Sequence, residues 1–347
     1  MSGHIIHNLL CSMFFSCFCM NVFAENGCFD VARWSDLQSK IRNRAISENI
    51  GEKTIDETLK LPMFVPAIIK NDKNQSEFKL TLNEYLNRTV NEKRITNGKL
   101  MRNKYPSLLS RVENIYGIPH NVILAFWGLE SNYGEVKSKY KLTDAFFTLI
   151  YDGRREKFFT NQLLALMNIA DKNHLDINSI RGSWAGAMGH FQFIPTTLEQ
   201  YGVDGNGDNS IDIINSIGDA MYSAGNYLNK LGWNKNEKIA RRVILPADFD
   251  TDLLNGDKKK TLSEWFDLGV LNPDGSPIPT GEMVAGLVAD VANIDSGNIE
   301  NASLDSDVQP KPVIVAYLTY PNFYRIKKWN NSNWYAIAIA TLADKIK

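Results

Sequence analysis

The carboxylate of Glu130 is the group in this chain best placed for acid–base chemistry. The eight residues before it, Val122 to Leu129, are all apolar or glycine, so a helix through them is buried all round rather than amphipathic. A carboxyl group near the C-terminal end of such a helix meets apolar surroundings and the negative end of the helix dipole. Both disfavour the ionised form and should raise its pKa. A carboxylic acid protonated at neutral pH is what glycosidic bond cleavage needs at the leaving oxygen. Taken alone, these features fit an ordinary half-exposed glutamate near a helix end at least as well. A second group of side chains has the spacing of a cation loop. Asp204, Asn206, Asp208 and Asp212 stand at relative positions 1, 3, 5 and 9 of an EF-hand-like segment, and Ser210 at position 7 can offer its carbonyl. Hard oxygen ligands two residues apart can converge on one Ca²⁺. Position 6 is Asn209 instead of glycine, which asparagine partly excuses by tolerating left-handed backbone. Position 12 is Asn215 and not the bidentate glutamate. The same composition also describes a surface turn.

The elements that must position these groups can be traced along the 347 residues. Residues 1–24 read as a signal peptide, with an apolar run from Leu9 to Phe23 and Val22-Phe23-Ala24 at the cleavage position, although Lys and Arg are missing from its head. The run is short for a membrane span. Cys11, Cys17 and Cys19 lie inside it, so cleavage leaves Cys28 alone and no intramolecular disulfide is expected. Lipidation at Cys28 or Cys17 is the less favoured alternative to a free periplasmic protein. Residues 25–112 read as a helical subdomain, with Trp34, Leu37, Ile41 and Ile46 at near-helical intervals and Tyr85, Val90 and Ile95 in a second periodic stretch. Asp56 is expected to cap a short helix. Gly117 and Pro119 punctuate the chain before the apolar helix 121–134. Further helical patterns cover 155–174 and 219–231, and the Gly-rich stretch 182–195, GSWAGAMGHFQFIP, reads as irregular backbone. Residues 236–320 read as a small β-rich subdomain, with strands at RRVILPADFD and VIVAYL and an exposed insertion at 295–312, DSGNIENASLDSDVQPKP. The segment from 321 to 347 ends in a closing helix. The class is therefore mainly α (α+β). Net charge is −1 and the richest basic stretch, Lys258-Lys259-Lys260, reads as a solvated loop, so nothing points to nucleic acid.

Several ordered blocks of the chain resemble the lytic transglycosylase B family. FWGLESNYG at 126–134 resembles the signature around that family's catalytic glutamate. TDAFFTLIYDGRREKFF at 143–159, RGSWAGAMGHFQFIPTT at 181–197, VDGNGDNSIDIINSIGDA at 203–220, AGNYL at 224–228 and NFYRIKKWNNSNWYAIAIATLADKI near the end follow in the family's order. The resemblance spans roughly residues 29–347. It implies a lysozyme-like core, at 113–235, flanked by the helical and β-rich subdomains. It implies cleavage between N-acetylmuramic acid and N-acetylglucosamine without consumption of water. Glu130 then protonates the glycosidic oxygen and, as a carboxylate, deprotonates the muramic acid's own primary hydroxyl, which closes an anhydro ring. The nucleophile is intramolecular, so no second carboxylate is required. Glu135 and Glu156 match no catalytic position.

By the same resemblance Ser183, Gln192 and Tyr227 bind sugars, Tyr85 either binds sugar or packs in the core, Arg154 and Arg155 either orient the stem peptide's carboxylates or form a structural ion pair, and Trp329 and Asn330 lie in the groove. His190 and Trp329 depart from the family's usual residues and are expected to alter outer subsites without touching the acid. Asp219 falls at the closing carboxylate of the family's longer calcium loop. No cofactor is required for the chemistry, and Ca²⁺ would be a structural brace. The expected partner is the peptidoglycan glycan strand, with transient contacts to cell-wall synthesis proteins and a monomeric state. Two rivals remain at this point, a lysozyme-type hydrolase with a second carboxylate across the groove and a peptidoglycan-binding protein without activity.

Overall fold

The computed structural model describes residues 29–74, 80–136, 138–291, 300–302 and 311–347. The expected leader, Cys28 and most of the expected insertion lie outside these residues. Six helices come first, α1 (Val31–Ser47), α2 (Glu52–Leu59), α3 (Pro66–Lys73), α4 (Leu82–Thr89), α5 (Glu92–Lys104) and α6 (Pro106–Tyr116). They lead to α7 (His120–Ser131), which carries Glu130. A two-residue strand β1 (Tyr140–Lys141) runs into α8 (Leu142–Asp152) and α9 (Glu156–Lys172). Strand β2 (Arg181–Gly182) pairs antiparallel with β1 and opens the Gly-rich loop. The EF-hand-like segment connects α10 (Pro195–Tyr201) to α11 (Ile217–Lys230).

The β-rich part is one antiparallel sheet of β3 (Ala240–Pro246), β4 (Asn255–Thr261), β5 (Val284–Ala289), β6 (Glu300–Ala302) and β7 (Lys311–Thr319), ordered β3-β7-β5-β4 with β6 beside β7. A short α12 (Leu262–Asp267) lies between β4 and β5. β7 then feeds α13 (Pro321–Trp329) and α14 (Asn333–Ile346), which return to the helical body. Two hydrophobic clusters result. One runs from Trp34 to Ile346 through the helices other than α12. The other is confined to 243–320, around Trp265, Leu287 and Leu318, with the Trp265 indole donating to the Ala285 carbonyl at 2.9 Å. The helical subdomain and the lysozyme-like core therefore share one interior.

Three local readings of the sequence are corrected. Tyr85, Val90 and Ile95 do not lie on one helix. The chain breaks at Val90 and restarts at Asn91, whose side chain accepts the Arg94 N–H and caps α5. Asp56 sits inside α2 and pairs with Arg42 at 2.6 Å. Lys258, Lys259 and Lys260 lie on β4 at the edge of the sheet, where lysines suit an edge strand because their charge deters pairing with another chain.

α7 explains why the acid sits where it does. Every residue from Asn121 to Gly128 is buried, and α5, α6, α11 and α14 pack around it. The helix stops because Asn132, Tyr133 and Gly134 all adopt left-handed backbone, with φ of 50°, 61° and 84°. For a bulky tyrosine that conformation is costly and must be imposed by its surroundings. Its ring meets Trp127 edge-on at 5.5 Å, and its hydroxyl donates to the Arg94 carbonyl at 2.9 Å. The ring fits only because Gly98 and Gly128 face it: a Cβ at either would lie 2.6 Å from the hydroxyl oxygen. A Gly128→Ala variant is expected to lose about 1–3 kcal/mol, the usual cost of overpacking a fixed side chain. Urea denaturation measures this, and unchanged stability would show that the Tyr133 ring is free to move aside.

Candidate active site

Glu130 projects from the last turn of α7 and is half-buried. Two donors from the far end of the chain meet its Oε1. The Tyr335 hydroxyl, from the first turn of α14, donates at 2.5 Å, and the Trp329 indole N–H, from the end of α13, donates at 3.0 Å. Tyr335 is 4% exposed. Its pKa is held well above the ordinary phenol value, first by burial and then by the neighbouring Glu130 carboxylate, so it remains a donor. Phe126, one turn earlier on α7, lies 4.8 Å from Trp329 and 6.0 Å from Tyr335. The acid is thus held in an aromatic surround.

The residue after the acid ties α7 to the Gly-rich loop. Ser131 Oγ donates to the His190 carbonyl at 2.6 Å and accepts the Gly134 N–H at 3.0 Å. The Trp127 indole donates to His190 Nδ1 at 3.0 Å, which makes that nitrogen the acceptor and favours the neutral ring. Burial lowers the His190 pKa, and Asp212 partly opposes it. His190 thus braces the helix that carries Glu130 through both its ring and its carbonyl. Trp329 was expected not to touch the acid and instead donates to it.

The other expected groove residues are placed as follows. Tyr227, on α11, stacks on Tyr201 at 4.6 Å and meets Trp329 at 4.9 Å. Gln192 holds left-handed backbone at φ 48° in the Gly-rich loop, and its side-chain amide donates to the Gly189 carbonyl at 3.0 Å. Ser183 Oγ accepts the Ala187 N–H at 3.0 Å in the same loop. Tyr85 and Asn330 line one cleft of about 440 Å³ with Lys327 and Trp334. The arginine pair is occupied elsewhere: Arg154 forms a two-nitrogen ion pair with the buried Asp72 carboxylate, and Arg155 lies over the rings of Phe158 and Phe159 at 4.5 and 5.0 Å. Glu135 is exposed and engages Asn97, Asn132 and Lys93. Sequence reading missed Tyr335. Its position in the first turn of a closing helix was legible, but its encounter with a residue 205 positions earlier leaves no local signal.

In the EF-hand-like loop the acids turn onto the chain's own amides. Asp204 accepts the N–H groups of Gly207, Asp208 and Asn209. Its pKa is lowered: burial opposes ionisation, and these backbone donors outweigh it. Asp208 accepts from Ser210 N and from the Asn206 side chain, and Asp212 from Ile214 N and Asn215 N. Asp219, fully buried, takes Gly205 N and Asn206 N on one oxygen and Asp212 N on the other. Among the described residues no three His, Cys, Asp or Glu groups are gathered as for a metal ion. The loop does present hard oxygen donors on a backbone already curled around Asp204, which fits Ca²⁺. Asp219 clasps the loop's backbone instead of standing as a ready ligand.

A family model described as the Transglycosylase SLT domain matches residues 33–344, and the chain belongs to that family. It is similar to the membrane-bound lytic murein transglycosylase B of Escherichia coli K12, at 28% identity over 263 residues, which cover 76% of this chain and 66% of the relative. The crystal structure of SltB3 from Pseudomonas aeruginosa in complex with NAG-anhNAM-pentapeptide superposes with a TM-score of 0.80 at 33% identity, covering 90% of this chain and 79% of that one. The Escherichia coli lytic transglycosylase Slt35 in complex with calcium gives 0.74 at 25% identity, covering 89% and 92%.

The His190 brace makes a pH prediction. Its folded-state pKa is lowered from 6.5, so its contribution to stability is complete above that value and is lost as pH falls below it. Denaturation midpoints of the wild type should drop on acidification below about pH 6.5. A His190→Gln variant should be less stable at neutral pH and show a shallower drop. Parallel curves for the two proteins would remove His190 from this role.

Proposed function

We propose that this chain is a lytic transglycosylase that cleaves the MurNAc–GlcNAc β-1,4 bond of peptidoglycan and leaves 1,6-anhydro-MurNAc ends. The observation that carries this reading is the Glu130 carboxyl group, held at the end of a buried helix by two aromatic donors inside a chain that belongs to the transglycosylase family. Oε1 accepts both hydrogen bonds, so the proton that Glu130 delivers sits on Oε2. Glu130 passes that proton to the glycosidic oxygen as the bond breaks. The substrate's acetamido group stabilises the positive charge that develops at the sugar. The carboxylate, steadied by Tyr335 and Trp329, then takes the proton of the muramic acid's primary hydroxyl, whose oxygen closes the ring. Tyr227, Tyr85, Asn330, Ser183 and Gln192 bind the sugars, with aromatic rings meeting apolar sugar faces and amides meeting hydroxyls. Arg154 keeps its ion pair with Asp72, which favours a structural role over a peptide-binding one.

Asp204, Asn206, Asp208, Asp212 and the Ser210 carbonyl would hold Ca²⁺, which would stiffen the connection between α10 and α11. Asp219 would join them only by releasing backbone amides. The apolar leader and the peptidoglycan substrate support export to the periplasm. No helix among the described residues is long and apolar enough to cross a membrane.

Residues 25–347 and a Glu130→Gln variant, each incubated with isolated peptidoglycan, test the reaction. The wild type is expected to release anhydro-muropeptides, lighter by one water than hydrolysis products, and the variant none by mass spectrometry. Hydrated products that depend on Glu130 would make the enzyme a hydrolase, and no products from either would make it a binding protein. Millimolar Ca²⁺ should raise the thermal midpoint by several degrees through binding to the folded state. Asp204→Asn should abolish that rise, and a midpoint indifferent to Ca²⁺ would remove the metal from the fold.

A further inference from the structure

We infer that Trp329 is a positioning residue for the acid, and that its indole N–H, not its ring face, is what the reaction uses. This rests on the reading of Glu130 as the acid. Indole Nε1 is a donor only, so Trp329 can hold Oε1 through both halves of the reaction without exchanging a proton. At 3.0 Å the bond is of ordinary length. It shares its oxygen with the Tyr335 hydroxyl. Two donors on one oxygen leave the carboxyl group little freedom to rotate, and they keep Oε2 as the oxygen that carries the proton.

The ring of Trp329 is itself fixed. Phe126 from α7 meets it at 4.8 Å, Phe193 from the Gly-rich loop at 5.3 Å and Tyr227 from α11 at 4.9 Å. These come from separate elements, so the direction of the N–H is set by packing that does not depend on substrate. The family resemblance placed Trp329 in the groove, away from the acid. An indole wedged among protein rings, with its N–H aimed at the acid, is built for another task.

Steady-state kinetics on soluble glycan-strand fragments separate the two roles. Trp329→Phe keeps an aromatic ring among the three neighbours and removes the donor. Its kcat is expected to fall about tenfold, the effect of losing one hydrogen bond to a charged group, with KM within about twofold of wild type. Trp329→His restores an N–H on a ring and should recover part of the lost kcat relative to Trp329→Phe. An unchanged kcat in Trp329→Phe, or a raised KM with kcat retained, would overturn the inference, as would equal rates for the Phe and His variants. Thermal midpoints of both variants accompany the rates, and the Phe-to-His comparison decides the matter even where both fold less stably than wild type. A wild type that forms no anhydro products would refute the assignment of the reaction itself, a result the variants do not affect.

Discussion

The carboxyl group of Glu130 stands near the end of a helix whose residues from Val122 to Trp127 belong to the hydrophobic interior, and something must hold it there. Burying a polar group without partners costs more than most single interactions return. The partners come from Trp329 and Tyr335, near the other end of the chain. Much of the architecture can be understood as the means of bringing these two segments together. The first cluster spans the helical parts and includes the apolar face of α14, so that Tyr335 meets Glu130 from a buried position. The sheet has its own core, and its long strand β7 runs directly into α13 and α14. A separately stabilised sheet thereby gives the closing helices a fixed point of departure.

The opposite side of the acid is organised by backbone more than by side chains. Three consecutive left-handed residues end α7 just beyond Glu130, and Ser131 and Trp127 each bond to His190 in the Gly-rich loop. That loop in turn carries Ser183 and Gln192. The EF-hand-like segment repeats the theme, since Asp204 and Asp219 bind its amides. A carboxylate that gathers several N–H groups rigidifies a turn whether or not a cation is present. Any Ca²⁺ therefore adds to an ordered loop, in keeping with a brace.

The sequence is legible where a pattern is local. An uninterrupted apolar run identified α7, the glycine-rich stretch identified irregular backbone, and apolar runs identified β3 and β7. Reading failed where the deciding contact is distant or where propensity is ambiguous. The break at Val90 depends on Asn91 acting as a cap within an otherwise periodic stretch. The three lysines look like a loop because their charge hides a strand that tertiary pairing with β5 creates. The resemblance to a family pointed to Glu130, yet kept Trp329 away from it, because the Trp329 contact follows from ring packing that spacing does not encode.

This arrangement links completion of the fold to formation of the site. A catalytic acid whose donors lay within its own helix could be organised as soon as that helix formed. Here the Trp329 and Tyr335 donors come from α13 and α14, which the chain reaches only after the sheet, and α14 also supplies one wall of α7's apolar packing. Phe126, Trp329 and Tyr335 together close around the Glu130 carboxyl. The interactions that exclude water from the helix are the same ones that orient the carboxyl group, so the packing of the closing helices and the placement of Glu130 are one feature of the fold.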